Sequence, residues 1–188
     1  MNDLSTRKIA VPAETVAWRR AVSEAAATTT SEEGALELVE LFFFAYRDFV
    51  SEADHVLSRY GFGRAHHRVL HFISRRPGLA IAALLEILRI TKQSLNRVLK
   101  QLLEAGFVEA REGVLDRRQR LLYPTPQGAK LARDLAALQT ARFLKVMDQL
   151  PPAARGAASE FLFAMIDSDE RERVRAHLAC AKAAGAAP

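Results

Sequence analysis

The 188-residue chain has 49% hydrophobic and 26% charged residues, a balance that excludes wholesale disorder and is ordinary for a globular protein. Its formal net charge of +5 favours a polyanionic partner, although many proteins share an excess of this size. The lone Cys180 excludes an internal disulfide, and no apolar run is long enough to cross a bilayer. Because polar residues follow Met1, no secretory signal is predicted, and we expect a cytoplasmic protein without a membrane partner.

The chain opens with an N-terminal extension, residues 1–33, in which 12–27 predicts a helix and 28–31 a linker that ends in a helix N-cap. Residues 34–60 then predict one long helix with two neighbouring apolar stripes. The stripes comprise Leu38, Phe42, Tyr46, Phe49 and Ala53, and Leu36, Val39, Phe43, Val50 and Leu57. A helix apolar over so wide an arc must be covered on more than one side, so we expect a partner subunit. The alternative is a central helix of a monomeric bundle.

Three shorter helices are predicted next. Gly61 and Gly63 break the chain, and a second helix covers 66–75 before the turn at Pro77-Gly78. A short third helix covers 81–88. Thr91 is placed to cap a fourth helix that runs to Glu104 and stops at Gly106.

After Gly106 the hydrophobic period changes to that of strands. Residues 107–111 and 120–123 predict a hairpin around a polar segment. Thr125 is placed to cap a helix over 127–148, with Pro126 in its first turn. After Pro151-Pro152, a final continuous helix is predicted over 153–180, with Cys180 in a frayed tail.

The third and fourth helices meet across Arg89-Ile90, a connection of the helix-turn-helix type. One face of the fourth helix is apolar, and the opposite face carries Lys92, Gln93, Asn96, Arg97 and Lys100, the donors and amides that base edges and phosphates require. From Arg89 to Arg120 there are eight basic and four acidic residues, a net +4 out of the total +5. A solvated helix face would explain an isolated helix equally well, but the basic hairpin beside it favours DNA binding.

Residues 63–131 resemble the winged helix-turn-helix core of the MarR family of bacterial regulators. The resemblance is carried by Ile-Thr-Lys-Gln-Ser-Leu-Asn-Arg at 90–97, Leu-Leu-Glu-Ala-Gly-Phe-Val at 102–108, Asp-Arg-Arg at 116–118 and Thr-Pro-Gln-Gly at 125–128. It implies a mostly α fold with a small β-hairpin wing, in which 34–60 is a dimerisation helix, 61–126 the DNA-binding domain, and 127–188 the C-terminal dimerisation helices and tail. Pro124 departs from the family's usual Leu and is expected to perturb the end of its strand.

The resemblance also implies roles for individual residues. Lys92, Gln93, Asn96 and Arg97 would probe the major groove, and Arg118 would enter the minor groove. Asp116 would fix the conformation of the wing by pairing with a nearby Arg. The full set of DNA-contacting residues expected from the resemblance is Thr91, Lys92, Gln93, Ser94, Asn96, Arg97, Lys100, Asp116, Arg117, Arg118, Arg75 and Arg76, of which Lys100, Arg75, Arg76 and Arg117 would meet phosphate.

The function implied is a sequence-specific transcriptional regulator, expected to be a repressor, that acts as a homodimer on a pseudo-palindromic operator and is released by a small-molecule effector. Phe42, Tyr46, Phe49 and His67 would line the effector pocket, although a core role explains the same residues. The alternative is a nucleoid-type protein that binds DNA without sequence preference. Comparing specific with random duplexes at two salt concentrations separates the two.

A histidine cluster and the cysteine raise further alternatives. His66, His67 and His71 lie close in sequence, and the i, i+4 spacing of the last two suits a metal or haem iron, which would make the protein a metal- or haem-responsive regulator. The competing interpretation is that they line a pocket or an interface, and we expect no metal and no cofactor. Cys180 as a thiol sensor is weighed against an inert thiol, and the inert thiol is favoured. No phosphate loop or nucleophile motif is found, so we expect no enzyme.

Overall fold

The computed structural model describes residues 31–113, 116 and 118–185, without the side chains of 153 and 182–185. The helix predicted at 12–27 and the side chain of Arg117 lie outside the described residues. The chain divides into two compact units, one ending at Asp48 and the other beginning at Phe49. Among the described helices, none has the length and apolar character to cross a membrane.

The first helix, α1, covers Glu32–Ser58 and so extends from the first unit into the second. Its start is set by Ser31, whose Oγ accepts a hydrogen bond from the N–H of Gly34 at 3.1 Å, as predicted for a helix N-cap. Glu32 and Glu33 follow in the first turn, where their charges complement the positive end of the helix dipole.

The second unit contains nine further elements in chain order. They are α2 (Arg64–Arg75), β1 (Leu79–Ala80), α3 (Ile81–Leu88), α4 (Lys92–Glu104), β2 (Val108–Glu112), β3 (Arg120–Pro124), α5 (Pro126–Gln149), α6 (Pro152–Ala164) and α7 (Arg171–Gly185). The predicted order of helix, short helix, capped helix, hairpin and long helix is therefore confirmed. A mostly helical fold with a small β wing is what the sequence predicted.

The three strands form one antiparallel sheet in the order β1-β3-β2. The hairpin was predicted, but β1 was not, because two residues carry no readable alternation; it forms by pairing Leu79 with Leu122. Pro124 was expected to perturb the end of its strand. Instead β3 continues through Pro124, which lies opposite Val108 in the ladder at the strand's last position.

The core of the second unit lies between the sheet and helices α2 to α5, with the end of α1 packed into it. Its largest fully buried side chains are Leu57, Val69, Leu70, Ile73, Leu84, Leu95, Leu102, Leu122 and Leu135. Burying a side chain of this size contributes roughly 1.5–3 kcal/mol. Since Leu95 and Leu102 belong to α4, the core fixes which face of that helix remains exposed.

The C-terminal helix predicted as continuous over 153–180 is wrong, because the chain breaks between α6 and α7. Asp167, Ser168 and Asp169 are residues whose side chains compete with helical hydrogen bonding and favour turns. Arg171 stabilises the break: its Nε donates to the carbonyl of Ile166 at 2.9 Å and its Nη2 to that of Ala164 at 2.6 Å. These bonds satisfy acceptors that the end of α6 would otherwise leave unpaired.

Candidate nucleic-acid interface

Helices α3 and α4 are joined by a tight turn of three residues. Arg89 ends α3 in the left-handed region, with φ +50°, and its N–H donates to the carbonyl of Leu85 at 2.9 Å. Thr91 begins α4 as predicted, because its Oγ1 accepts from the N–H of Ser94 at 3.2 Å. The predicted helix-turn-helix is thereby confirmed in its turn and its cap.

Helix α4 has one buried and one exposed face. Leu95, Val98, Leu99 and Leu102 are buried, whereas Lys92, Gln93, Asn96, Arg97 and Lys100 are exposed. His66 on α2 anchors the helix further: its Nε2 donates to Oε1 of Gln101 at 2.7 Å, while its Nδ1 accepts from the N–H of Gly63. The polar face is thus presented on a helix that is fixed from behind.

Several cations of this surface lie beside acids. Lys100 is 3.7 Å from Glu104, and both side chains are more than half exposed. On the strands, Arg111 pairs with Glu109 and Arg120 with Glu112. Exposed pairs of this kind contribute little and are weakened by salt, so an approaching phosphate competes with the carboxylate at small cost.

The wing is organised by Asp116, though in a different way from the one expected. Its Oδ1 accepts the backbone N–H of Arg118 at 2.9 Å, and its carbonyl accepts the N–H of Gln119 at 3.0 Å. The N–H of Gly113 donates to the carbonyl of Gln119 and closes the turn. The carboxylate therefore fixes the backbone directly below the Arg118 side chain, which is exposed.

The base of the wing is locked to the start of α5 by the Thr-Pro-Gln-Gly motif. Oγ1 of Thr125 donates to the carbonyl of Gly106 at 2.6 Å and accepts the N–H of Gly128 at 3.1 Å. The N–H of Thr125 donates to the carbonyl of Phe107. The motif thus joins the end of β3, the start of α5 and the chain just before β2.

Two arginines expected at phosphate lie elsewhere. Arg75 and Arg76, at the end of α2, face α7: Arg75 donates to the carbonyl of Ala181 at 3.4 Å, and Nη1 of Arg76 lies 3.1 Å from Nδ1 of His177. Because guanidinium nitrogens only donate, Nδ1 of His177 is the acceptor. Their DNA contact stays a prediction, and in the structure they line a cavity.

This cavity has a volume of about 850 Å³ and lies among α2, α3, α5 and α7. Phe49 and His67 do not line it; Phe49 packs edge-on against Phe143, and His67 is half-buried on α2. In the first unit Phe42 stacks on Tyr46, and their place in an effector pocket stays a prediction. The lining residues Arg173, His177 and Glu170 were missed by sequence reasoning, since they meet α2 only through the fold.

The histidines and the cysteine take structural positions. His66 stacks on Phe62 and is hydrogen-bonded at both ring nitrogens, while His67 and His71 lie edge to face at 6.5 Å. Across the described ranges there is no group of three or more His, Cys, Asp or Glu side chains that could hold a metal. Cys180 was expected in a frayed tail but lies within α7, where it lines the cavity.

Known proteins resemble this chain in sequence and in fold. A model of the MarR family matches residues 60–119. The HTH-type transcriptional regulator PetP of Rhodobacter capsulatus is 44% identical over 129 residues, which cover 69% of this chain and 78% of PetP. Among solved structures, Streptococcus pneumoniae FabT in complex with DNA has a TM-score of 0.62 and 15% identity, covering 70% of this chain and 94% of FabT. The MarR family transcription regulator SP03579 has a TM-score of 0.63 and 20% identity, covering 81% and 97%.

The fold and the exposed face of α4 define a winged helix-turn-helix protein, and the sequence relationship to PetP goes further. The chain belongs to the MarR family, and it is a transcription regulator that binds DNA.

Proposed function

We propose that the protein is a sequence-specific regulator that reads an operator with α4 and the wing. The observation that carries this proposal is the division of α4: its apolar face is buried, and Lys92, Gln93, Asn96 and Arg97 stand together on the exposed face. Side-chain amides and guanidinium groups are the groups that discriminate base edges in a major groove. Thr91 and Ser94 cap the helix start and present its backbone N–H groups toward phosphate.

Arg118 is assigned to the minor groove. The support is the hydrogen bond from its own N–H to Asp116, which holds the backbone at the point where the side chain leaves the turn. A narrow minor groove concentrates negative potential and attracts a guanidinium group placed in this way. Arg117 is assigned to phosphate on the resemblance alone, since its side chain lies outside the described residues.

The protein acts as a homodimer on a pseudo-palindromic site in this proposal. Support comes from large apolar side chains left in solvent on helices outside the DNA-binding core. In the first unit α1 exposes Leu36, Val39, Leu41, Phe43 and Phe44, and in the second unit α6 exposes Phe161, Leu162 and Met165. Patches of this kind mark surfaces covered by another chain. Two copies would place their α4 helices on half-sites about 10 bp apart or a multiple of that.

Repression, with release by a small molecule, is the mode of action we propose. Its support is the cavity beside α3, the first helix of the helix-turn-helix, because a ligand there contacts the same helix that positions α4. A ligand that prefers one arrangement of α3 shifts DNA affinity by its difference in affinity for the two arrangements.

The test is selection of bound duplexes from a random DNA pool, followed by gel-shift titration at about 50 mM and about 200 mM salt. We expect one enriched, pseudo-palindromic sequence that binds at least about a thousandfold more tightly than random DNA. Absence of an enriched sequence, together with a steep salt dependence on every duplex, would instead establish nucleoid-type binding.

Substitutions separate reading from assembly. Arg97→Ala should relax the preference at one base position, while Arg118→Ala should weaken binding to every enriched sequence and leave the dimer intact. Arg155→Ala, on the exposed side of α6, is the matched control. Sedimentation of Phe43→Arg beside Glu37→Arg tests the dimer, because both positions are exposed on α1 and only the first removes an apolar contact.

A further inference from the structure

The cavity among α2, α3, α5 and α7, here called the α7 cavity, has an uneven distribution of charge. Arg75, Arg76 and Arg173 line it, against the carboxylates of Glu86 and Glu170. Glu170 is already engaged twice, at 3.1 Å from Arg173 and 3.7 Å from Arg89. The hydrogen-bond acceptors of Arg75 and Arg76, by contrast, are a carbonyl and an imidazole, which carry no negative charge. Two guanidinium groups therefore point into the cavity with neutral acceptors.

The rest of the α7 cavity is apolar. Phe72 on α2, Ile87 on α3, Ala136 on α5, and Val174 and Leu178 on α7 contribute hydrocarbon walls. A volume of about 850 Å³ lies within the usual range for small-molecule sites, which are mostly apolar with a few fixed polar groups. The ligand that matches these walls has an apolar body and a single anionic end.

We propose that the α7 cavity binds an organic anion, with its carboxylate or phosphate held by Arg75 and Arg76 and its apolar body between Phe72 and the wall of α7. Guanidinium groups suit either anion, because their parallel N–H donors match two oxygens at once. Helix α7 forms the outer wall, so the site is complete only while α7 lies against α2. This assignment replaces the phosphate-of-DNA role expected for Arg75 and Arg76.

Glu170 connects the α7 cavity to the DNA-binding turn. Its side chain, only 15% exposed, lies between Arg173 of the cavity wall and Arg89 of the turn that joins α3 to α4. An anion that attracts Arg173 leaves Glu170 more fully to Arg89, the residue that ends α3. This part of the inference rests on the proposed function, whereas binding of the anion does not. Glu170 acts as a positioning residue.

The two histidines of the α7 cavity give an independent readout. Burial, and then the positive charges around it, lower the pKa of His71; burial, followed by Arg76 and Arg75, lowers that of His177. The charged and titratable groups that face them are His67, Arg75, Arg76, Arg173, Glu86, Glu170 and Cys180. An anion offsets the arginine charges and so raises both pKa values. Binding should therefore take up protons and strengthen as the pH falls below neutrality.

The experiment titrates the full-length protein, without DNA, by calorimetry with 2-naphthoate, 2-naphthyl phosphate, the neutral 2-naphthamide and inorganic phosphate. We expect at least one aromatic anion to bind about tenfold or more tightly than the amide and than inorganic phosphate. The ratio of carboxylate to phosphate affinity identifies the preferred anion. Equal binding of the anions and the amide, or no binding of either aromatic anion, would overturn the proposal without any variant.

Variants then locate the site. Arg75→Gln with Arg76→Gln should weaken anion binding about tenfold or more, whereas Arg133→Gln with Arg155→Gln, exposed arginines outside the cavity, should not. If the first pair also lowers the melting temperature, Ala136→Phe, which fills the cavity from α5, serves as the second blocking variant. Retained affinity in both blocking variants would place the ligand elsewhere and overturn the assignment.

The link through Glu170 has its own measurement. With Glu170→Gln, we expect calorimetry to show retained anion binding while the anion's effect on operator affinity is lost; an unchanged effect would overturn the link. Failure of anion binding with intact operator binding would reject this inference alone. Failure of operator binding with intact anion binding would reject the proposed function alone.

Discussion

Gly128 lies so close to Phe107 that a Cβ atom built on the glycine would come within 1.8 Å of the Phe107 carbonyl oxygen. The first turn of α5 therefore packs on backbone, and backbone is far less able to yield than the end of a flexible side chain. The glycine of the Thr-Pro-Gln-Gly motif is required by this packing.

Gly128→Ala should lower the free energy of unfolding by at least about 2 kcal/mol, because the new methyl group must displace main chain. The matched control is Gly156→Ala on α6, where a Cβ would meet nothing within 4 Å. That change should raise stability by about 0.5–1 kcal/mol, since alanine is the better helix former. Chemical denaturation of both variants checks the pair, and a Gly128→Ala protein as stable as the wild type would contradict the geometry.

Asp116 should act by accepting a hydrogen bond and not by its charge. Asp116→Ala removes the acceptor for the N–H of Arg118 and should weaken operator binding about five- to tenfold. Asp116→Asn keeps an acceptor oxygen at the same place and should stay close to the wild type. Gel-shift titration of both variants decides between the two roles: if Asn is as damaging as Ala, an ion pair with a neighbouring arginine is the correct explanation.

Arg89 should carry a backbone cost that glycine would remove. Its φ of +50° lies in the left-handed region, which a Cβ disfavours by roughly 1–2 kcal/mol. The informative comparison is Arg89→Gly with Arg89→Ala, since both lose the guanidinium and differ only in the Cβ. We expect the glycine variant to be more stable by about 1 kcal/mol. Identical unfolding curves would show that the turn relaxes to another conformation in the variants.

Stability should fall as the solution is acidified from neutrality. The pKa values of His67, His71 and His177 are lowered from 6.5, with burial as the largest cause, and the unfolded chain restores the ordinary value. Between the folded and the unfolded pKa the unfolded state binds more protons, so stability is fully present above about pH 6.5 and declines below it.

Denaturant unfolding at a series of pH values measures this decline. His71→Gln should flatten the dependence, because it removes a half-buried ring that must stay uncharged in the folded protein. His55→Gln, exposed on α1, is the control and should leave the slope unchanged. A slope that survives in the His71 variant would assign the effect to other groups.

Local signals predicted the secondary structure well and the tertiary partners poorly. Thr91, Gly106 and Thr125 are capping residues at fixed offsets from apolar periodicity, and the structure confirms all three positions. Strand β1 escaped prediction because it exists only through pairing with β3. The break before Arg171 escaped because Phe161, Leu162, Met165 and Ile166 continue a helical pattern that the turn residues after them interrupt.

The candidate site divides in the same way. The polar face of α4 was predictable, since the spacing of Leu95, Val98 and Leu102 fixes which side is buried. The places of Arg75 and Arg76 were not, because their neighbours His177 and Ala181 lie about a hundred residues further along the chain. The role of Asp116 was predicted as a fixed wing, but its partner turned out to be a backbone N–H.

The lock between Thr125, Gly128 and the chain at Gly106 and Phe107 has a mechanical consequence. Because hydrogen bonds and close packing join the root of the wing to the first turn of α5, these parts move as one lever, and bending is left to the hairpin beyond Gly113. A tilt of α5 of a few degrees is therefore delivered to the wing without slack. The long helix acts as the handle that aims Arg118.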